Sequence, residues 1–67
     1  MRKIFHLSYS KGQYYHNDIK VYANYFEIKD GVFIFYESTD AFSNKIVACY
    51  PVVNTAIWMI EEIKDPK

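Results

Sequence analysis

Tyr25-Phe26-Glu27-Ile28-Lys29-Asp30-Gly31-Val32-Phe33-Ile34-Phe35-Tyr36 decides the fold class. Asp30-Gly31 supplies two adjacent residues that accept positive φ, as a type I′ turn requires, and both flanks are rich in β-branched and aromatic residues. The segment is predicted to be a β-hairpin with Lys29 opposite Val32, Ile28 opposite Phe33, Glu27 opposite Ile34, Phe26 opposite Phe35 and Tyr25 opposite Tyr36. Side chains alternate along a strand, so Phe26, Ile28, Phe33 and Phe35 share one face, which is read as core. The other face carries Tyr25, Glu27, Lys29, Val32, Ile34 and Tyr36. Its second half is apolar, so the strand from Val32 is expected to be covered on both sides by a closing barrel, by the carboxy-terminal segment or by a second subunit.

Upstream, Ile19, Val21 and Ala23 alternate with polar residues, and after Asn24 the apolar positions change parity to Phe26 and Ile28. A bulge or sharp bend between Ala23 and Tyr25 accounts for the slip and lets one strand serve two sheets or a barrel corner. Phe5, Leu7 and Tyr9 alternate with His6 and Ser8, Ser10-Lys11-Gly12 reads as a turn before Tyr14-Tyr15-His16, and Asn17-Asp18 as a second turn or kink. Downstream, Ser38 to Asn44 is a polar connection, and Ile46-Val47-Ala48-Cys49-Tyr50 is a strand apolar on both faces that ends near Pro51. Residues 55–64 fit a helical stripe or a buried strand; the β-branched and aromatic content of Ile57-Trp58-Met59-Ile60 favours the strand. The fold class is all-β over one domain, residues 1–67. It is expected to be a small antiparallel sheet or an SH3/OB-like, partly closed barrel of about five strands, with a short carboxy-terminal helix as the variant.

Composition narrows function by exclusion. A chain of 67 residues is a single small domain of marginal stability unless disulfides, a metal or oligomerisation support it. One cysteine forms no intrachain disulfide, and a lone thiol in an apolar run suits a reducing, cytoplasmic setting. Eight basic and eight acidic residues give zero formal charge, which disfavours nucleic acid as a partner and disfavours nucleic-acid mimicry. The amino-terminal Met1 to Leu7 opens like a signal peptide but meets Ser8 and Tyr9 too early, and no apolar run is long enough for a membrane span. A homodimer or larger homo-oligomer is expected instead, because the chain is 51% hydrophobic and 19% aromatic.

Candidate chemistry is sparse. Cys49 with His6 or His16 suggests a nucleophile, yet Ala48 and Tyr50 beside it describe a buried, inert thiol. His16 and Asp18, with His6, offer at most a partial metal site for which no third or fourth ligand can be named, and solvated turn residues are the simpler account. Glu61-Glu62 point to opposite faces if extended, which suits a solubilising end better than a carboxylate pair. Lys29 to Phe35 resembles the aromatic stretches of RNA-binding cold-shock and RRM domains, but Phe33 and Phe35 lie on the core face and interleaved basic residues are missing. No catalytic residue, cofactor or metal site is assigned, and the chain is read as a non-enzyme.

Tyrosine stands out, at seven of 67 residues. Its ring gives contact area with few rotors to freeze, and its hydroxyl tolerates a wet rim. Tyr22, Tyr25 and Tyr36 are the expected central partner contacts, with Tyr14, Tyr15 and His16, beside a turn, as further contacts; half-buried rings capping a small β-core are the plainer alternative.

Ile, Lys, Asn, Tyr and Phe dominate the chain, and Lys outnumbers Arg seven to one, the residue bias of an AT-rich genome. With a hairpin, the 46–50 strand and a closing strand into Glu61-Glu62, the stretch from Tyr25 to Glu62 is similar in size and pattern to small β-proteins of phages and prophages of low-GC Gram-positive bacteria. Many of these are anti-CRISPR or other anti-defence proteins. The resemblance rests on no diagnostic motif and implies an inhibitor that occludes a host protein in the host cytoplasm. Two other readings stand beside it. One is an oligomeric sponge for a small ligand or nucleotide signal, with rings stacking on bases and Arg2, Lys3 or Lys20 meeting phosphate. The other is a structural or assembly protein that joins only copies of itself.

Overall fold

A computed structural model describes residues 2–39 and 43–63. Its elements are β1 (Lys3–Lys11), β2 (Tyr14–Ala23), β3 (Tyr25–Lys29), β4 (Val32–Ser38), β5 (Asn44–Pro51), a 3₁₀ turn at Val52–Asn54, and β6 (Thr55–Glu62). They form two three-stranded antiparallel sheets, β2-β1-β6 and β3-β4-β5. The all-β expectation holds. There are six strands rather than about five, residues 55–62 are strand rather than helix, and among the described residues the sheets do not close into a barrel. No described helix is long and apolar enough to cross a membrane.

The β3–β4 hairpin has the register expected from its turn, pair for pair. Asp30 and Gly31 adopt φ of 53° and 73°, the two positive values of a type I′ turn. The parity slip also has its physical cause. Asn24 stands alone between β2 and β3, its N–H donates to the Tyr36 carbonyl (2.8 Å), and its Oδ1 accepts from Ser38 N–H (2.8 Å). One residue thus carries the chain from the first sheet to the second and reverses which parity faces inward.

The sheets pack through Phe5 and Leu7 of β1, Val21 and Ala23 of β2, and Phe33 and Phe35 of β4. The Phe5 ring lies 5.2 Å from Phe35 and 5.6 Å from Phe26, in tilted and edge-to-face arrangements that favour the π-quadrupole. Each such buried aromatic side chain stabilises the fold by roughly 1.5–3 kcal/mol through area removed from water.

Several expectations need correction. Ile28 keeps core parity but is 58% exposed, on the edge strand β3, although Phe33 opposite it on the central strand is buried. Cys49 is exposed, not buried: β5 is an edge strand, and Cys49 lies opposite Ile34 on the outward face. The first turn is Gly12-Gln13 rather than Ser10 to Gly12. Lys11 pairs with Tyr14, and positive φ at Gly12 alone fits a type II′ turn. Asn17 and Asp18 sit inside β2, opposite a register shift between Leu7 and Tyr9. In the expected polar connection, Ser38 closes β4, Asn44 opens β5, and residues 40–42 lie outside the described residues, as do residues 64–67 of the expected solvated end.

Candidate functional site: the outer face of the second sheet

The registers of β3-β4-β5 place Tyr25, Tyr36 and Ile46 in one cross-strand row, Glu27, Ile34 and Cys49 in the next, and Lys29, Val32 and Pro51 in the third. These rows are the outward face of the second sheet. The sequence reading required a cover for Val32, Ile34 and Tyr36. The carboxy-terminal strand is not that cover, since β6 joins the first sheet, and among the described residues no element packs over this face. Tyr25 remains 40% exposed and Ile46 56%.

Two tyrosines organise the face. The Tyr25 and Tyr36 rings are stacked, with centroids 5.0 Å apart and planes 19° from parallel. The Tyr36 hydroxyl donates to Glu27 Oε1 at 2.5 Å. That bond to a carboxylate, with partial desolvation and the Glu27 charge behind it, pushes the Tyr36 phenol up from 10.0 to about 12. Tyr36 therefore stays neutral and fixed in orientation, and the stacked pair is a rigid aromatic plate edged by Ile34, Ile46 and Cys49. Such a surface loses little side-chain entropy when it is covered.

The remaining site candidates are not gathered there. Tyr22 pairs with Ile4 and projects from the outer face of the first sheet, because the Asn24 bend separates it from Tyr25. Tyr14, Tyr15 and His16 lie at the far end of the β1–β2 hairpin, where Tyr14 Oη shares a short hydrogen bond (2.5 Å) with His16 Nε2 and Tyr15 Oη donates to Asn17 Oδ1 (3.0 Å).

His6, read as a solvated residue, is buried on the outer face of the first sheet. Its Nδ1 donates to Asp18 Oδ1 (3.2 Å) and its Nε2 to Glu61 Oε1 (3.1 Å), while the Trp58 ring lies 5.2 Å from the imidazole and Trp58 Nε1 donates to Asn17 O (3.2 Å). Ionised carboxylates only accept, so both ring nitrogens must carry hydrogen, and the hydrogen bonds to Asp18 and then Glu61 raise the His6 pKa above 6.5. The carboxylates sit at opposite nitrogens of the ring and do not converge on a point where a cation would bind; among the described residues no three such groups form a metal cluster.

Sequence reasoning missed His6 because its partners are 12 and 55 positions away. It also passed over the exposure of Trp58, Met59 and Ile60, whose signal was an apolar run with no gap for a solvent face.

Fold and site together define the class: an open, two-sheet antiparallel β-sandwich carrying a flat aromatic face. No protein-family model, curated protein or solved structure matches the chain.

Proposed function

We propose that the chain is a small non-enzymatic binding protein, a phage-encoded inhibitor that occludes a host defence protein in the host cytoplasm and works as a homodimer. The observation that carries the binding reading is the stacked Tyr25–Tyr36 plate, flanked by Ile34, Ile46 and Cys49, on a face that no described element covers. Rigid aromatic anchors beside aliphatic neighbours are the usual composition of a protein-interface centre. A flat face of this kind suits a protein better than a small molecule, which is ordinarily bound in a concave site. The phage and inhibitor parts rest on the AT-rich residue bias and the likeness in size and strand pattern.

The test is affinity capture with the tagged chain from a low-GC Gram-positive lysate, read by mass spectrometry for proteins and small molecules. A single host protein at near-stoichiometric amount is expected, with affinity falling at least about tenfold in Tyr25→Ala/Tyr36→Ala. The variant's circular dichroism should remain native. Retained affinity in the folded double variant removes these tyrosines from the site, and recovery of a nucleotide alone replaces inhibition by the sponge.

A further inference from the structure

The first sheet ends in an edge unlike the other three. β6 pairs with β1 on one side only, and Trp58, Met59 and Ile60 are 51%, 42% and 49% exposed in succession. Edge strands are normally blunted by lysine, proline or inward charge. β2 carries Asp18 and Lys20, β3 carries Glu27 and Lys29, and β5 carries Lys45 and Pro51, whereas β6 has no charge before Glu61.

We infer that β6 is a self-association edge, pairing antiparallel with β6 of a second copy about a two-fold axis between Trp58 and Met59. This deepens the homodimer part of the reading above and uses a surface separate from the tyrosine plate.

The register follows from the faces. Thr55 pairs with Tyr9, Ile57 with Leu7, Ile60 with Phe5 and Glu62 with Lys3, all inward positions. Ala56, Met59 and Glu61 pair with Ser8, His6 and Ile4 on the outer face. Trp58, the extra residue of the bulge, stacks on His6 and is also outward. From Thr55 to Glu62 the order is in, out, in, out, out, in, out, in, which reads the same in both directions. Directly opposed residues of an antiparallel pair lie on one face of the sheet. When the strands pair over their whole length, only a dyad between Trp58 and Met59 satisfies this for every pair.

Trp58 then opposes Met59 of the partner subunit, Ile57 opposes Ile60 of the partner subunit, and the two bulges that would spoil pairing with a regular strand meet each other. Glu61 falls opposite Ala56 of the partner subunit and Glu62 opposite Thr55 of the partner subunit, so no like charges are apposed. A register slipped toward the carboxy end would bring the glutamates of the two copies together.

In a Cys49→Ser background, Thr55→Cys and Glu62→Cys proteins are prepared separately and mixed under mild oxidation, while the native chain is weighed by light scattering. The expected results are a mass of twice 8.0 kDa and a disulfide-linked pair from the mixture alone. A second variant, Met59→Lys/Ile60→Lys, changes two exposed side chains and should fall to single-chain mass with a native dichroism spectrum. A native chain of single mass, cross-linking of either cysteine protein by itself, or a folded lysine variant that stays double overturns the inference. If the lysine variant does not fold, the cross-link decides. A monomer that still captures its partner through Tyr25 and Tyr36 sinks only the dimer, and a dimer that captures nothing sinks only the tyrosine face.

Discussion

The two sheets distribute polar and aromatic groups in opposite ways. The second buries Phe33 and Phe35 inward and lays Tyr25 and Tyr36 outward, in an unbroken β3–β4 register set by a tight turn. The first packs Phe5, Leu7, Val21 and Ala23 inward and buries the imidazole of His6 on its outer side, with register shifts on both flanks of β1. Along the β3–β4 pair alternation is strict, so the face of each residue follows from its number, and the one shift of this sheet lies between β4 and β5, beside Phe35 and Tyr36. The irregular sheet uses a bulge to bring Trp58 over His6, and its charged cluster joins three strands that alternation alone would have left as a solvated face.

The largest effect should come at the point where the two sheets meet. Phe35 is fully buried, with the Phe5, Phe26, Phe33 and Tyr50 rings within 6.5 Å. Phe35→Ala should cost about 3–5 kcal/mol. A domain of this length has in all about 3–10 kcal/mol of stability, so the urea midpoint should collapse. Ile28→Ala, at the same facing parity but 58% exposed on the edge strand β3, should cost under about 1 kcal/mol. Comparable losses at the two positions would show that the hairpin tip is packed in solution and that the core extends to the β3 edge.

The contrast between the outer faces is sharpened by pH. Because the folded pKa of His6 is raised above 6.5, its pairing contributes fully below that value and is lost as pH rises through the folded pKa. Lys20, opposite His6 on β2, carries like charge and works against the imidazolium. The melting temperature should therefore fall as pH climbs above 6.5, and His6→Gln should flatten that window. Trp58 gives an independent readout: its emission, quenched by the neighbouring imidazolium, should rise over the same range. A wild-type profile as flat as the variant's would mean that His6 is neutral when folded and that the double hydrogen bond is not maintained. The second sheet should be silent in this window, since the Tyr36 phenol is held at about 12.

These differences mark what the residues alone could convey. The β3–β4 register was legible because Asp30-Gly31 admits one turn geometry and the apolar positions then fall into phase. The bend at Asn24 was legible as a broken phase. Its consequence, that Tyr22 and the Tyr25–Tyr36 pair belong to different sheets, depends on which strands pair, and that is set by contacts distant in sequence. The tyrosine plate was half-legible for the same reason: the cross-strand pair follows from the hairpin, but its exposure depends on where β6 goes. Cys49 was misplaced because a strand apolar on both faces does not disclose that it lies at an edge. His6 escaped notice because a buried imidazole occupies a position that reads as polar and outward until Asp18 and Glu61 are brought beside it.

The smallest effect compares the two hairpin turns. Gly12 and Gly31 both have positive φ, 61° and 73°, and a Cβ at either position meets no atom within 4 Å. Substitution by alanine therefore costs only backbone strain, of order 1 kcal/mol. The strain acts differently on the two sheets. At Gly31 the turn is followed at once by the Ile28–Phe33 and Phe26–Phe35 pairs, and Val52 N–H donates to the Gly31 carbonyl at 2.9 Å, so the loss should reach the global unfolding midpoint. At Gly12 a register shift between Leu7 and Tyr9 lies between turn and core, and Tyr14 and Tyr15 beyond it are 57% and 63% exposed. That end can open without disturbing Leu7. Gly31→Ala should lower the urea midpoint measurably. Gly12→Ala should leave it within error while speeding amide exchange from Lys11 to His16. Equal shifts for the two variants would mean that the first hairpin unfolds only with the core, and the shift beside Leu7 would then be a rigid joint instead of a boundary.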